Sequence, residues 1–490
     1  MAFAIQKQTQ AEKDTYLFEH FHDMGLIKEL IEQNYSILAG RKGAGKTAIA
    51  RYLQNQYTNY PIDYSVRLSV SDIGFDSGFD NKSKTELIIF FIIIRTIQSL
   101  LSTTLIREEY VKYWKDFLNQ NGIQNISDYK SFEEYARKNQ TSVSFKEIIG
   151  GSIEKEYKKY SINNLSTFLL FPFVDSVVNE KEIFIFIDDI SDYLDDSNEE
   201  KLKTDIATIR DVLFRLETIN NKFSDTGRGL RLISCVRDDL FEFMEGSNIN
   251  KLKSSSLNIV WDEISFCCLL IRRLPFYEND LENSLLNPID SIKKQFPDEI
   301  FQGILKTFNT NRHATNFYSY MVAISFNRPR DFLMFCYALR ERLSFKHPAT
   351  NANIDSAEGE YVDYFISELK DELYLASKIF GFESDSDSLH NLLNILAETD
   401  VFNFGKLKTD VTTYLQTKNK TGNKKIQHFI FELWWYGIIG FKDKESQLIN
   451  FKYLKNYVRY VPDKVKNYSF YLHRGLWWFL RKRPGKKKIT

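Results

Sequence analysis

Residues 35–57 read YSILAGRKGAGKTAIARYLQNQY. The run YSILAG has strand character and stops at Gly40, the octet GRKGAGKT follows (Gly40 to Thr47), and TAIARYLQNQY has helical character. Strand, glycine-rich loop and helix in that order open an α/β unit. The octet meets G-x-x-x-x-G-K-[ST] at every fixed position.

That pattern has a physical purpose. Glycines let the backbone fold so that successive N–H groups point at a phosphate chain, and the N-terminus of the following helix adds its partial positive charge. The segment Gly40, Arg41, Lys42, Gly43, Ala44, Gly45, Lys46, Thr47 and Ala48 is therefore expected to hold the phosphates of ATP. Lys46 would reach the β- and γ-phosphates, and the Thr47 hydroxyl would bind Mg²⁺. The alternative is an ordinary glycine turn.

Working outward, further strands are expected at Tyr64 to Val70 (YSVRLSV), at EIFIFIDD, at Leu230 to Val236 (LRLISCV) and at SLNIVW, which ends at Trp261. In the second of these, the apolar run Ile183 to Ile187 is followed by Asp188 and Asp189. Asp188 is expected to hold Mg²⁺ and Asp189 to orient or deprotonate the attacking water. The competing reading is a pair of acids capping the next helix. Asp192 could assist. Arg237, just past LRLISCV, is a candidate γ-phosphate sensor. Ser234 is the alternative to it, and an ion pair of Arg237 with Asp238 or Asp239 is the bland reading.

The 490 residues are too many for one ordinary core. Residues 1–275 read as the α/β core, with a helical insertion at about 107–166; 276–381 read as a helical lid and 382–490 as a basic winged-helix domain and tail. The run Leu87 to Ile94 (LIIFFIII) is far shorter than a membrane span of about 20 residues, so a buried helix is expected. The segment Phe382 to His390 (FESDSDSLH) reads as a linker. Three helices follow, LHNLLNILAE, LKTDVTTYLQ and KKIQHFIFELWWYG, the last closed by Gly437; IIGFKDKESQLINFKY then reads as a hairpin turning at Asp443 to Ser446.

Charge is zero overall but unevenly spread. From Gly405 onward there are 20 Lys plus Arg against 5 Asp plus Glu; the first 404 residues carry 45 basic and 60 acidic side chains. Such asymmetry points to different partners for the two ends, and a basic winged helix could track DNA phosphates. The third helix offers only Lys424, Lys425 and His428 as polar readers, so such binding would be weakly sequence-specific, and protein contact is the alternative use. Cys235, Cys267, Cys268 and Cys336 form no CxxC pair, and the N-terminus turns polar too early for a secretory signal. A reducing cytoplasm is the expected home, with no membrane segment.

On GRKGAGKT, IFIFIDDISDYLD, ISCVRDDLF and NRPRDFLMF (from Asn327), the chain resembles the AAA-like and STAND-like bacterial P-loop ATPases with a helical lid and C-terminal winged helix. The resemblance implies a P-loop NTPase fold with a mainly parallel sheet. It also implies an Arg on the lid that senses the γ-phosphate, matched here by Arg330, with Arg328 in reserve. Arg210, Arg215, Arg228 and Arg231 are equal candidates for an intersubunit arginine finger. By analogy the setting is antiphage defence or DNA maintenance, in a homo-oligomer or beside an effector protein. The expectation is an ATPase switch. The alternatives are a non-hydrolysing, nucleotide-stabilised scaffold or sensor, and a DNA-binding regulator.

Overall fold

In the computed structural model the described residues are 11–54 (without 12 and 16), 60–70, 80–138, 142–149, 152–161, 165–190, 199–262 (without 245 and 247), 265, 266, 268, 269, 273, 324–340, 351–380, 386–396, 401–417, 422–442, 449, 451, 467–473, 475 and 476. The chain divides into two compact units: residues 25–41 with 46–259, and residues 1–24 with 42–45 and 260–490.

The unit of residues 25–41 and 46–259 is α/β. Its elements are α1 (Leu26–Glu32), β1 (Ile37–Ala39), α2 (Lys46–Gln54), β2 (Tyr64–Ser69), α3 (Asn81–Leu100), α4 (Glu108–Gln120), α5 (Tyr129–Lys138), β3 (Ser142–Ile149), β4 (Ser152–Ser161), α6 (Leu165–Ser176), β5 (Glu182–Asp188), α7 (Glu199–Asp225), β6 (Gly229–Val236), α8 (Leu240–Phe243), α9 (Ile249–Ser254) and β7 (Ser256–Asn258). Five strands form one parallel sheet in the order β2-β5-β6-β1-β7. All five strands expected from the sequence are present.

Ile183 to Ile187 of β5 are all fully buried. Successive strand residues point to opposite faces, so both faces of β5 are covered, as an unbroken apolar run requires. The cover includes α3, which packs on α6, α7 and β2, while α7 lies on β6 and α2 on β2. Leu87 to Ile94 lie buried in α3. Each such side chain contributes about 1.5–3 kcal/mol relative to leaving it exposed. No described helix is long and apolar enough to cross a membrane. Asp80 caps α3, accepting from the backbone N–H of Ser83 at 2.7 Å.

The 107–166 segment is not purely helical. After α4 and α5 it carries the antiparallel pair β3–β4, with Gly150 and Gly151 between them in the sequence. Ile153, Tyr157 and Tyr160 are residue types enriched in strands, and a Gly-Gly pair in the sequence favours a two-residue hairpin connection.

In the other unit, helices span Pro329–Arg340 and Asn351–Phe380. Most of the 276–381 segment before them, residues 276–323, lies outside the described residues. Further on come the helix Ser386–Leu396, β8 (Val401–Asn403), the helices Phe404–Thr417 and Asn423–Trp435, β9 (Ile439–Lys442) and β10 (Ser469–Leu472). The three strands form an antiparallel sheet in the order β8-β10-β9. Gly437 ends the helix Asn423–Trp435 with a left-handed φ of 75°, the conformation that stops a helix most readily at glycine.

One expectation is corrected in this segment. Half of the supposed linker 382–390 is helical, because the helix starts at Ser386; Ser and Asp serve helix starts as well as loops. Ile439–Lys442 pairs antiparallel with Ser469–Leu472, and the expected turn at Asp443 to Ser446 lies outside the described residues. Buried and half-buried residues alternate along β10, the pattern of a strand with one covered face. His473 follows it. Its Nδ1 accepts from the Gly475 N–H at 3.1 Å, which leaves Nε2 to donate to the Ser325 carbonyl at 2.9 Å.

Candidate functional site

In the parallel sheet β1 lies between β6 and β7, although the chain runs from β1 to β2 at the far edge before returning through β5 and β6. Connections leave β1 and β6 in opposite directions, which opens a crevice beyond their C-terminal ends. The glycine-rich loop follows β1, Asp188 and Asp189 end β5, and Arg237 follows β6. One edge of the sheet thus gathers residues from three separated stretches of sequence.

Lys46 opens α2, and its ammonium donates to the carbonyls of Gly40 at 2.7 Å and Arg41 at 3.1 Å. Burial pushes its pKa below the ordinary 10.5; Asp188, Cys235 and Asp238 act in the opposite sense, and Arg237 acts with burial. The Thr47 hydroxyl donates to Asp188 Oδ2 at 2.8 Å. Gly43 and Gly45 have φ of 81° and 110°, left-handed values at which a side chain is strained. A Cβ on Gly45 would have nothing within 4 Å, so the backbone there lies open.

Asp188 is almost fully buried and Asp189 is half-buried with φ 65°. Asp is one of the few side chains that tolerates this region. The Asp189 N–H donates to Asp188 Oδ1 at 3.0 Å. The missed residue is Arg67 of β2. Its Nε lies 2.8 Å from Asp188 Oδ2 and its Nη2 2.9 Å from Asp189 Oδ2, while the Ser69 hydroxyl donates to the same Asp189 oxygen at 2.7 Å. Strand pairing places Arg67 opposite Phe186 and Ser69 opposite Asp188. Nothing local in YSVRLSV announces this; only the pairing of β2 with β5 brings the guanidinium to the carboxylates.

Arg237 forks onto Asp239, with Nε to Oδ1 3.0 Å and Nη2 to Oδ2 2.6 Å. The ion pair weighed against its sensor role is therefore real, while its charge still acts on Lys46. Ser234 is buried in β6. The four arginine-finger candidates all have partners inside the fold. Arg210 meets Asp211, Arg215 approaches Glu86, and Arg228 bonds Asp175 and the Val177 carbonyl. Arg231 bonds the carbonyls of Leu30 and Ile31 together with Glu182. Asp192 lies outside the described residues.

Residues 42–45 belong to the other compact unit, where NRPRD meets them. Asn327 takes a left-handed φ of 57° and Pro329 begins the helix Pro329–Arg340, where its fixed φ and missing N–H cost nothing. Arg328 is buried. It forks onto Asp331 at 2.9 and 2.6 Å and donates to the Lys42 carbonyl at 3.0 Å. The Trp261 indole N–H donates to the Ala44 carbonyl at 2.9 Å. Arg330 donates to Glu368 at 3.2 Å, and its Cβ would lie 3.2 Å from a Cβ on Gly43. Neither Arg328 nor Trp261 was expected as a partner of the loop's carbonyls.

These residues fit a phosphate chain and a hard cation. Lys46 supplies a desolvated ammonium at the start of α2, and the Thr47 hydroxyl lies beside the buried Asp188 carboxylate, an oxygen donor set suited to Mg²⁺. Among the described residues no group of three or more His, Cys, Asp and Glu is placed to hold a metal ion. Cys235, Cys268 and Cys336 are buried free thiols. Comparison with known protein families and with curated proteins finds no match.

Proposed function

We propose that this chain binds ATP with Mg²⁺ and hydrolyses it, as a nucleotide-driven switch with a P-loop core. The observation that carries the reading is the meeting of Lys46, Thr47, Asp188 and Asp189 at the C-terminal ends of parallel strands. Lys46 is suited to hold β- and γ-phosphate oxygens, and the backbone from Gly40 to Ala48 to cradle them. Thr47 and Asp188 would hold the Mg²⁺, which when bound neutralises charge developing on the phosphates. Asp189 is the group suited to orient a water. Arg237 serves as a sensor.

In this reading the helices Pro329–Arg340 and Asn351–Phe380 serve as the lid. The order helix, β8, helix, helix, β9, β10 of the C-terminal segment suits a winged helix, and its basic charge supports contact with DNA phosphates. Antiphage defence or DNA maintenance, in a homo-oligomer or with an effector, is the setting the sequence resemblance suggests.

The test is Lys46→Ala. Steady-state ATP turnover and nucleotide binding are measured in parent and variant, with and without DNA. Loss of both in a folded variant supports the reading; normal turnover by Lys46→Ala defeats it. One observation favours a second reading, a non-hydrolysing scaffold: the Asp189 carboxylate is already engaged by Arg67 and Ser69. Tight ATP binding by the parent without turnover would select that reading.

A further inference from the structure

We propose that Arg67 is a built-in counter-ion of the carboxylate pair, which a divalent cation must displace in order to take Asp188. The proposal rests on reading Thr47 and Asp188 as the metal-holding pair. Asp188 Oδ2 accepts from Thr47 Oγ1 at 2.8 Å and from Arg67 Nε at 2.8 Å, and Asp188 Oδ1 accepts from the Asp189 N–H at 3.0 Å. The oxygen shared with Thr47 is the one a cation between hydroxyl and carboxylate would need, and the guanidinium already uses it.

A cation and a guanidinium cannot both occupy that oxygen closely, because like charges at such range repel strongly in a poorly hydrated site. Without a cation, two adjacent carboxylates, one of them nearly buried, would repel each other. Arg67 satisfies both with one planar fork, which a lysine cannot match. Its side chain is 17% exposed, so it has a way out toward solvent. When it leaves, Asp189 loses a cation as well as a hydrogen bond and becomes a stronger acceptor. Metal entry and the readiness of Asp189 are thereby linked through one residue of β2.

The experiment uses Mg²⁺ alone, without nucleotide, and follows the thermal unfolding midpoint as metal is titrated into chelator-treated protein. Arg67→Gln should unfold at lower temperature than the parent in chelator and regain stability with Mg²⁺. An opposite charge at this distance moves carboxylate equilibria by about 1–3 log units, so the Mg²⁺ midpoint should fall by about tenfold or more. A second change, Asp188→Asn, made in the Arg67→Gln background, should abolish the metal response. If Arg67→Gln does not fold, Arg67→Lys serves: one ammonium cannot span both carboxylates, and the midpoint should shift the same way by less. An unshifted midpoint in a variant that responds to Mg²⁺ overturns the role of Arg67 and leaves the metal pair standing. Parent and variant both indifferent to Mg²⁺ would instead overturn the metal pair, and this proposal with it.

Discussion

The Arg328 guanidinium donates to the backbone carbonyl of Lys42 at 3.0 Å while its other nitrogens fork onto Asp331. A buried arginine so paired has a fixed direction, and a fixed donor fixes the carbonyl that it holds. Within this unit the glycine-rich segment 42–45 is thus shaped by NRPRD as well as by its own glycines.

Arg328 and Arg330 should therefore behave differently. Arg328→Ala strands the buried Asp331 and should cost about 3–5 kcal/mol in denaturant unfolding, as broken buried pairs do. Arg330, partly exposed and held by Glu368, should cost far less on truncation. In the proposed lid role Arg330→Ala should keep ADP affinity and lose preference for ATP. An ATP/ADP affinity ratio equal to the parent's would remove Arg330 from sensing.

Asp189→Asn should retain Mg-ATP and lose hydrolysis, since an amide cannot take a proton from water. Asn also tolerates the left-handed backbone at this position, so the fold should be kept. Turnover equal to the parent's would take Asp189 out of the reaction.

Asp80 offers a pH test of the fold alone. The Ser83 backbone N–H, then the Ser83 side chain, hold its pKa below the ordinary 3.8. Because the folded value is the lower one, its stabilisation is complete above 3.8 and fades as pH falls through the folded value. Asp80→Ala should cost about 1 kcal/mol at neutral pH. The gap between parent and variant should narrow in acid; a gap independent of pH would show that the cap's charge has no part.

Deleting Arg481 to Thr490, which lie outside the described residues, removes six basic side chains. If the basic end follows DNA, the logarithmic salt dependence should flatten by about 0.9 for each phosphate that the shortened chain no longer neutralises. An unchanged slope, or no binding by the parent, would favour protein contact.

Local pattern determined much of this protein. The octet Gly40 to Thr47, the apolar run before Asp188 and the periodic helices of the C-terminal segment carry their own signals, because strand alternation, helix periodicity and glycine chemistry act over a few neighbours. The β3–β4 hairpin was legible too, in the Gly-Gly pair between its strands, but hidden among residues that also suit helices. Tertiary structure decided the rest. Which strand β9 pairs with, which carbonyls Arg328 and Trp261 hold, and where the charge of Arg67 falls all depend on residues far apart in the chain. Arg67 lies 121 positions from Asp188, and only the register of β2 on β5 makes them neighbours. A salt bridge needs a few ångströms, and sequence supplies that distance only when strand pairing has closed the loop between its partners.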